Sequence, residues 1–494
     1  MGEVAKYLEA EPGERNRFEH MPIETSGLYC GGDSMFSLRL SKKQERLMRA
    51  ERLQKAYELF HNGSLAFAQM ELEGIRIDVD KAYEWEKDWK TELYGMKDKI
   101  LTCDDAKAFE KKKGRPMRYV KKLSGDDLQV VLFDILKIKP LRGTERKKGW
   151  AVDEDALRHY AKHCELLRWE LKARKLATRS NFLGQILRCV YDGFIYPTNN
   201  LHLPRSYRSS NSDPSFQNFP KHEELMAIIR ELFIPREGNW IWTVDYGGHE
   251  LRIIACVTKC GAMIEYVVGG KDIHSTLALK IFGILGITER SEIFKQLRQV
   301  AKNQCVFPLC YGSYFVSIAK NIWNDPTIIS LGVLDDFYPS LSLKQRKEKW
   351  EQHVKSVEKW FWKVFRGVRR WQDNYIKSYQ KYGFARDLSW GFKRRGYLSR
   401  NKLYNFPIQG PAFHCLLWSI IEIMKWKHEY ESKLCGQIHD DLFWDMKPSE
   451  SGEIRERVDR VMTEEVREAN PWIIVPLETE WKKGLDWLHM KDVK

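Results

Sequence analysis

The stretch GQIHDDLFWDM (436–446) places two adjacent carboxylates, Asp440 and Asp441, between two apolar runs. Both runs are long enough for a short strand, and Asp is a common turn residue, so the stretch predicts a β-hairpin with the acidic pair at its tip. A turn alone would explain the two residues. A metal site is the functional alternative, and it requires further ligands from elsewhere in the chain.

The composition is that of a soluble protein of several domains with an excess of positive charge. The 494 residues exceed what one hydrophobic core supports, and the net charge is +14. Such a charge favours a polyanionic partner, either nucleic acid or an anionic membrane surface. The 18 Trp and 21 Tyr favour nucleic acid, because bases stack on aromatic rings. A basic but otherwise ordinary enzyme is the alternative at this point.

Several features argue against a zinc protein or a membrane protein. The ten cysteines form no Cys-x-x-Cys pair, so we expect reduced thiols in a cytosol-like compartment. The apolar stretch CLLWSIIEIM (415–424) is too short to span a bilayer and contains Glu422, which predicts a buried helix. The first residues contain no apolar signal core. Residues 105–122 are strongly basic and predict a loop, which is either solvated surface or a contact with a phosphate backbone.

The order of strand-like and helical segments indicates the fold class. In NWIWTVDYGGHELR (239–252) an apolar strand-like run precedes Asp245 and two glycines, and a helical pattern follows. Residues 291–380 are mostly helical in pattern, and short strands return near residue 440. Strands that enclose a long helical insert predict an α+β protein in which a helical domain is inserted into a sheet domain.

The strand-end carboxylates suggest a metal-dependent reaction. If the strands that contain Asp245 and Asp440 are neighbours, the two side chains can share divalent ions. Two such ions about 3.5–4 Å apart activate an attacking oxygen and stabilise a leaving oxygen in phosphoryl transfer. Mg²⁺ suits this arrangement because it needs few protein ligands besides substrate phosphate oxygens.

The stretch LRQVAKNQCVFPLCYGSY (297–314) supplies a third element. Arg298 and Lys302 are four residues apart and share one helical face, so they can hold a triphosphate. Phe307 and Tyr311 follow at the same spacing. A solvated helix whose aromatic residues pack into a core is the structural alternative. In combination with the carboxylates and the basic composition, the stretch indicates a nucleotidyl transferase.

Three motifs resemble those of the family A DNA polymerases, the bacterial polymerase I type, and most closely those of phage members. They are VDYGGHELR, QIHDD and RQVAKNQCVFPLCYG, and the resemblance extends from about residue 55 to the C-terminus. It implies a right-hand polymerase, with an antiparallel palm sheet and helical fingers and thumb. It also implies primer–template DNA and dNTPs as partners, and two Mg²⁺ ions as cofactors.

The resemblance assigns roles to individual residues. Asp245, Asp440 and Lys302 are the expected catalytic residues, with both aspartates as metal ligands. Asp441 stands where the family usually has Glu, and its shorter side chain is expected to reach the metals only through water. Glu250 is the expected steric gate against a ribose 2′-hydroxyl.

Further residues are implied as substrate contacts. The implied dNTP contacts are Tyr246, Glu250, His274, Arg298, Lys302 and Phe307. The implied DNA contacts are Arg208, Gln217, Asn218, Tyr311, Asn405, Gln409, Gln437 and His439. Arg252 is implied as a structural salt-bridge partner.

Three departures from the family pattern produce structural expectations. Gly247 and Gly248 replace a small polar pair and predict a looser turn. The spacing from Lys302 to Phe307 is one residue longer than usual, and we infer a helical bulge that keeps the cations and the aromatic rings on one face. Pro308 predicts a kink in the same helix.

The N-terminal stretch LYCGGDSMFSLRL (28–40) contains Tyr29 and Asp33 in a Tyr-x-x-x-Asp arrangement. This resembles the last motif of the family's 3′–5′ proofreading exonuclease. We hypothesise that the chain is the polymerase part of a split enzyme, with a separate exonuclease subunit that docks at this segment. A vestigial helix packed under the thumb is the alternative.

We therefore expect a DNA-directed DNA polymerase, in phage replication within the cytoplasm of a bacterial host. The alternatives are a catalytically weak DNA-binding replisome subunit, and a single-subunit RNA polymerase or reverse transcriptase. The expected divisions are an exonuclease-like fragment at 1–55, thumb at 56–195, palm at 196–257, fingers at 258–400 and a second palm part at 401–494.

Overall fold

The computed structural model describes residues 20–140, 149–221, 224–387 and 389–493, without the side chains of Asp155 and Glu224. The described chain is an α+β protein, as its sequence predicts, and it is mostly helical. Its α-helices are α1 (Ile23–Glu51), α2 (Gln54–Glu73), α3 (Val79–Thr102), α4 (Asp104–Lys113), α5 (Gly125–Gln129), α6 (Glu154–Tyr160), α7 (Glu165–Cys189), α8 (Glu224–Ala227), α9 (His249–Thr258), α10 (Gly261–Val268), α11 (Ile273–Phe282), α12 (Phe294–Ala301), α13 (Phe307–Cys310), α14 (Phe315–Trp323), α15 (Pro326–Leu331), α16 (Leu343–Val364), α17 (Arg366–Tyr382), α18 (Arg400–Trp426), α19 (Ser451–Arg460) and α20 (Val466–Ala469). Its strands are β1 (Ile75–Arg76), β2 (Phe194–Ile195), β3 (Thr198–Asn200), β4 (Ser210–Ser212), β5 (Trp240–Tyr246), β6 (Phe384–Arg386), β7 (Lys393–Arg395), β8 (Lys433–Ile438), β9 (Asp441–Met446), β10 (Thr479–Gly484) and β11 (Lys491–Val493).

The main sheet has five antiparallel strands in the order β11-β10-β5-β9-β8. Strands β8 and β9 form the predicted hairpin, and β5 pairs directly with β9 although almost two hundred residues separate them. The predicted neighbourhood of the two acidic strands is thus confirmed. His439 turns the chain at the hairpin tip with φ +59°, a left-handed conformation that is uncommon outside glycine.

Both faces of the sheet are covered by hydrophobic cores. On one face, Val244, Leu442 and Trp444 join a large core with the helices that follow β5. On the other face, Phe443 and Ile241 belong to a smaller core with aromatic residues from chain segments before and after the sheet. A sheet packed on both sides holds its strand ends in fixed positions, which suits residues that must act together.

The long helix α18 lies in the large core. Most of its side chains are buried even though Pro407 and Pro411 interrupt its hydrogen bonding. The apolar stretch 415–424 lies within it, which confirms the predicted buried helix. No helix in the described parts of the chain is both long and apolar enough to cross a membrane.

A separate core lies within residues 96–176, where α4 to α6 pack against the start of α7. Here one expectation is wrong for half of its range: residues 105–113 of the basic stretch belong to helix α4, whereas residues 114–122 form the predicted loop. Phe109 and Ala106 are buried on one face of α4, so the helix is fixed by packing while Lys111 and Lys113 stay exposed on its last turn.

Helix α1 lies outside all three cores. None of its 29 residues is buried, and the side chains of Leu28 and Phe36 are 81% and 62% exposed. Glu51 at its end forms ion pairs with Lys393 (2.6 Å) and Arg395 (2.9 Å). This burial pattern argues against the alternative in which the segment packs under the thumb. Residues 1–19 of the predicted exonuclease-like fragment lie outside the described residues.

Candidate active site

Three acidic residues form a row across the main sheet. Asp245 on β5 is the direct cross-strand partner of Asp441 on β9 and of Glu480 on β10. Directly opposite residues in antiparallel strands project from the same face of a sheet. Asp440 lies at the hairpin tip next to this row. The structure therefore brings together Asp245, Asp440 and Asp441 as predicted, and it adds Glu480.

The electrostatics of the row suit a cation. Burial and the charge of Asp440 raise the pKa of Asp245, and burial and the charge of Asp245 raise the pKa of Asp441. In the part of the chain that the structure describes, the Oδ1 atoms of Asp245 and Asp441 are buried without a hydrogen-bond partner. Leaving such an atom unsatisfied costs about 1–3 kcal/mol, which a bound cation would offset.

The donor set fits Mg²⁺ rather than a metal held by a closed protein cage. Within the described residues, no three His, Cys, Asp or Glu side chains already surround a metal position. Mg²⁺ is usually held by one or two carboxylates together with water and substrate phosphates. Asp245 and Asp440, at the ends of neighbouring strands, supply that number of ligands.

The fingers-like helix contains the bulge that the sequence predicts. Helix α12 passes into a π-helical turn, Lys302–Val306, in which the N–H of Phe307 bonds to the carbonyl of Lys302. This turn absorbs one additional residue without rotating the following helix off the shared face. Pro308 lies in the first turn of α13, where a missing N–H is tolerated, so the helix is interrupted at the π turn rather than broken at the proline.

Cations and aromatic rings share one face of this helix. The Nζ atom of Lys302 lies 5.9 Å from the centre of the Phe307 ring, and the ring of Tyr311 is stacked 6.4 Å beyond it. His274 at the start of α11 lies 5.6 Å from Phe307. Burial and the neighbouring Lys302 lower the pKa of His274 to about 4, so this imidazole is neutral at pH 7. The structure thus brings together the predicted dNTP contacts around Phe307.

Arg298 has a partner that the sequence analysis missed. Its Nε donates to the Oδ2 of Asp272 at 2.5 Å. Asp272 also caps α11 by accepting the N–H of His274 (2.9 Å) and the hydroxyl of Ser275 (2.7 Å). The signal was present, because an Asp before an apolar helical run is a typical N-cap, but the pairing with Arg298 requires tertiary structure.

One contact connects the fingers-like helix to α9, and two others fix Tyr246 at the end of β5. The hydroxyl of Tyr311 donates to Glu250 on α9, and this joins the predicted steric gate to the predicted template-side residue. Tyr246, at the end of β5, is buried, stacks 4.1 Å from the His249 ring and shares a hydrogen bond with Ser419 (3.2 Å). Tyr246 is thus fixed in the core behind the site rather than free in the cleft.

The double glycine forms a defined turn. Gly248 has φ +61° and precedes α9, a conformation that favours glycine. The N–H of Gly247 donates to the carbonyl of Glu478 (2.8 Å), and Arg252 forms an ion pair with Glu478 at 2.5 Å, consistent with its expected structural role. A side chain at position 247 would place its Cβ 3.2 Å from Glu480, so glycine leaves room for that carboxylate.

A buried amide network joins three of the predicted DNA contacts. Gln437 on β8 accepts from the Nε2 of Gln217 (2.9 Å) and from the hydroxyl of Ser209 (2.7 Å). Its own Nε2 donates to the carbonyl of His439. Because the glutamine is fully buried, the network fixes the hairpin tip against the segment that contains Ser209 and Gln217.

The other predicted DNA contacts lie nearby on less constrained positions. Arg208 donates to the carbonyl of Gln409 on α18 at 3.3 Å. Asn218 is exposed and donates to Ser215 (2.6 Å), and Asn405 lies half-buried on α18, one turn before Gln409. Tyr29 and Asp33 interact with each other on the exposed helix α1, and the charge of Asp33 raises the pKa of Tyr29.

The comparisons with known proteins point to one family of enzymes. The family model described as DNA polymerase family A matches residues 104–489. DNA polymerase I of Geobacillus stearothermophilus is 24% identical over 97% of this chain and 50% of its own length, and that of Lactococcus lactis subsp. lactis is 25% identical over 98% and 50%. The chain thus spans about half the length of the curated relatives it matches.

A solved structure is similar in fold. The POL domain of Pol1 from M. smegmatis, in complex with DNA primer-template and dNTP, superposes with a TM-score of 0.67 at 24% identity. The match covers 86% of this chain and 69% of that one. The right-hand α+β architecture expected from the motifs is therefore confirmed at the level of the fold.

Proposed function

Because the chain belongs to DNA polymerase family A, we propose that it catalyses template-directed addition of deoxynucleotides to a primer 3′-OH, with release of pyrophosphate. The observation that supports this best is the pairing of Asp245 with Asp441 in the sheet, with Asp440 at the adjoining tip. Replication of phage DNA is the biological setting we favour.

The carboxylates would hold two Mg²⁺ ions, which would activate the primer 3′-OH and neutralise charge on the leaving pyrophosphate. Asp245 and Asp440 are the proposed ligands, and Asp441 acts through water. Arg298 and Lys302 bind the triphosphate and provide fixed positive charge where negative charge develops. Phe307 and Glu250 position the sugar, and Glu250 excludes a 2′-hydroxyl.

We assign the expected divisions to these roles. The main sheet and α9 act as the palm, α10 to α17 act as the fingers, and α2 to α7 form the thumb. The buried network of Gln217 and Gln437 holds His439 beside the primer end. Arg208, Asn218, Asn405 and Gln409 line the duplex, and Tyr311 lies beside the template base.

Substitution of the proposed ligands tests this function. We expect Asp245→Asn and Asp440→Asn each to reduce primer extension roughly a thousandfold, because each loses a charge at the metal site while the shape is kept. DNA affinity should change less than twofold. Asp492→Asn, an exposed carboxylate on β11 of the same sheet, is the matched control and should retain extension. Substantial extension by either ligand variant would refute the metal assignment.

Substrate comparisons separate this function from its alternatives. Incorporation of dNTPs on a DNA template, with little incorporation of rNTPs, is the expected result. Preferential use of rNTPs or of an RNA template would support the RNA polymerase or reverse transcriptase alternative. DNA binding without extension would support a non-catalytic replisome subunit.

We also propose that α1 binds a separate exonuclease subunit. Exposed apolar side chains such as Leu28 and Phe36, together with the Tyr29–Asp33 pair, support this partner. Affinity purification from the native source, followed by a mismatch-excision assay, tests the proposal. Co-purification of an exonuclease that Phe36→Asp releases is expected, and a native complex without excision activity would refute it.

A further inference from the structure

The π turn of the fingers helix is attached to a neighbouring helix by one side chain. Gln304 lies within the turn Lys302–Val306, and its Nε2 donates to the Oδ2 of Asp325 at 3.1 Å. The other carboxylate oxygen of Asp325 accepts the N–H of Thr327 at 2.9 Å and so caps α15. The two oxygens of Asp325 therefore have separate partners, one that starts α15 and one that holds the turn.

A π turn needs such support, because it is rare and interrupts the regular hydrogen bonding of the α-helix that contains it. Cys305 and Val306 are buried and hold the turn from the core side. On the outer side, Asn303 is exposed, and its side chain accepts a hydrogen bond from the exposed Gln299 one turn earlier in the same helix. Among the described residues, Gln304 is the residue of the turn whose side chain forms a hydrogen bond to another element.

The turn separates two groups of proposed substrate contacts. Arg298 and Lys302 lie at or before its start, and Phe307 and Tyr311 follow it. Any change in the width of the turn alters the distance between the cations and the aromatic rings. A dNTP must contact the cations and Phe307 at once, with Tyr311 beside the template base that it pairs with, so the turn determines how well the two groups fit a single base pair.

We propose that Gln304 and Asp325 are positioning residues for dNTP binding, and that their hydrogen bond sets the spacing between the triphosphate cations and the aromatic face. This inference rests on the proposed polymerase function. Neither residue is among the proposed substrate or DNA contacts, and both act through the dNTP-binding helix, so their effect is expected on the dNTP KM rather than on DNA affinity.

The test reverses the polarity of the contact. In Q304E two carboxylates face each other, which breaks the hydrogen bond. In the double variant Q304E/D325N the new amide donates to the new carboxylate, and the Asn oxygen can still cap α15. At pH 8 we expect Q304E to raise the dNTP KM about tenfold with kcat changed less than threefold, and the double variant to recover most of the loss.

Controls separate positioning from general damage. Q296E adds the same charge at an exposed position about two turns earlier on the same helix, away from Arg298 and Lys302, and should leave the KM unchanged. If Q304E fails to fold, Q304M removes the donor without adding charge and is measured instead. An unchanged KM in a folded Gln304 variant, or no recovery in the double variant, overturns the inference. A wild-type protein that does not extend primers would instead refute the proposed polymerase function.

Discussion

At the scale of single residues, the electrostatic environment of Asp272 bears directly on the proposed triphosphate site. Burial by itself would raise the pKa of Asp272, but hydrogen bonds from Arg298 and Ser275 outweigh it and lower the pKa to about 2. The carboxylate is therefore charged at any physiological pH. Asp272 is paired with Arg298, the cation that we propose for the triphosphate. The nucleotide must therefore displace Asp272 from Arg298 or bind Arg298 beside it.

We predict that Asp272→Asn lowers the dNTP KM about fivefold with little change in kcat. The substitution removes one negative charge from a partly exposed pair, worth about 1 kcal/mol. The amide oxygen can still accept the N–H of His274 and cap α11, whereas the NH2 group that replaces Oδ2 cannot accept from Arg298 and so releases that cation. Steady-state extension kinetics measure this effect. Ser275→Ala is the control, because it removes a hydrogen bond to Asp272 and keeps the charge. A raised KM in Asp272→Asn would mean that the charge orients Arg298 more than it competes.

The sequence was sufficient to identify some of these residues and not others. The proximity of Asp245 and Asp440 could be predicted, because each ends or follows a recognisable strand. The alignment of Asp245 with Asp441 and Glu480 could not, because it depends on the register of β9 and β10, and a shift by one residue would turn those side chains to the opposite face. Asp272 was missed for a similar reason, since its partner is 26 residues away.

At the scale of elements, the fingers helix shows how spacing alone can predict structure. The additional residue between Lys302 and Phe307 implied a bulge, and the structure has a π turn at that place. The expected effect of Pro308 was only partly right, because the proline falls in the first turn of α13, where its missing N–H costs little. The spacing of residues along the helix predicts which of them share a face. Which residues of other elements support the π turn depends on the tertiary structure.

Changing the length of this turn is a direct test of the element. Deletion of Asn303 should let the helix become regular with Phe307 four residues after Lys302, and we expect primer extension within about tenfold of wild type. Insertion of one Ala after Asn303 should rotate Phe307 by about 100° away from Lys302 and abolish extension. Circular dichroism checks that both proteins are folded. Equal activity of the two variants would contradict the role of the shared face.

A buried histidine joins α18 to two other segments. His414 is 1% exposed, and its Nε2 donates to the carbonyl of Tyr207 at 2.9 Å. Its Nδ1 lies 3.8 Å from the Oδ2 of Asp387, which is equally buried. Burial lowers the pKa of His414 to about 3 and raises that of Asp387 to about 6. The histidine is thus neutral in the folded protein throughout the usual pH range.

This histidine should destabilise the protein in mild acid. Below about pH 6.5 the unfolded chain binds a proton at His414 while the folded chain does not, so its contribution to stability falls as pH falls towards 3. The variant His414→Gln keeps a donor towards Tyr207. We predict that its free energy of unfolding, relative to that of wild type, rises by about 2 kcal/mol when the pH is lowered from 8 to 5. Urea unfolding of both proteins at the two pH values measures the difference. The raised pKa of Asp387 changes the stability with pH in the opposite direction, but it does so in both proteins and cancels in the difference between them. A difference in stability that does not vary with pH would contradict the prediction.

At the scale of the whole molecule, exposed charged side chains lie on helices that are fixed by their buried apolar faces. The basic stretch 105–122 was expected to be a loop because its charges obscure the apolar positions of α4. Its exposed lysines could contact a phosphate backbone, which was one of the two alternatives for this stretch. Lys112 contacts the carbonyl of Asp134 at 3.2 Å, whereas Lys111 and Lys113 project from the same turn into solvent.

We therefore predict that the salt dependence of DNA binding reports on this helix. Binding that releases counterions weakens with salt, with a slope of about −0.9 per neutralised phosphate, so K111A/K113A should reduce the slope by about 1–2. K42A/K43A removes two exposed lysines from α1 and should leave the slope unchanged, since we place α1 outside the DNA path. Fluorescence anisotropy of a labelled primer–template over a range of salt concentrations measures the slope. If the slope of K111A/K113A equals that of K42A/K43A, α4 does not contact DNA. That result would contradict a role of this part of the proposed thumb in binding the duplex.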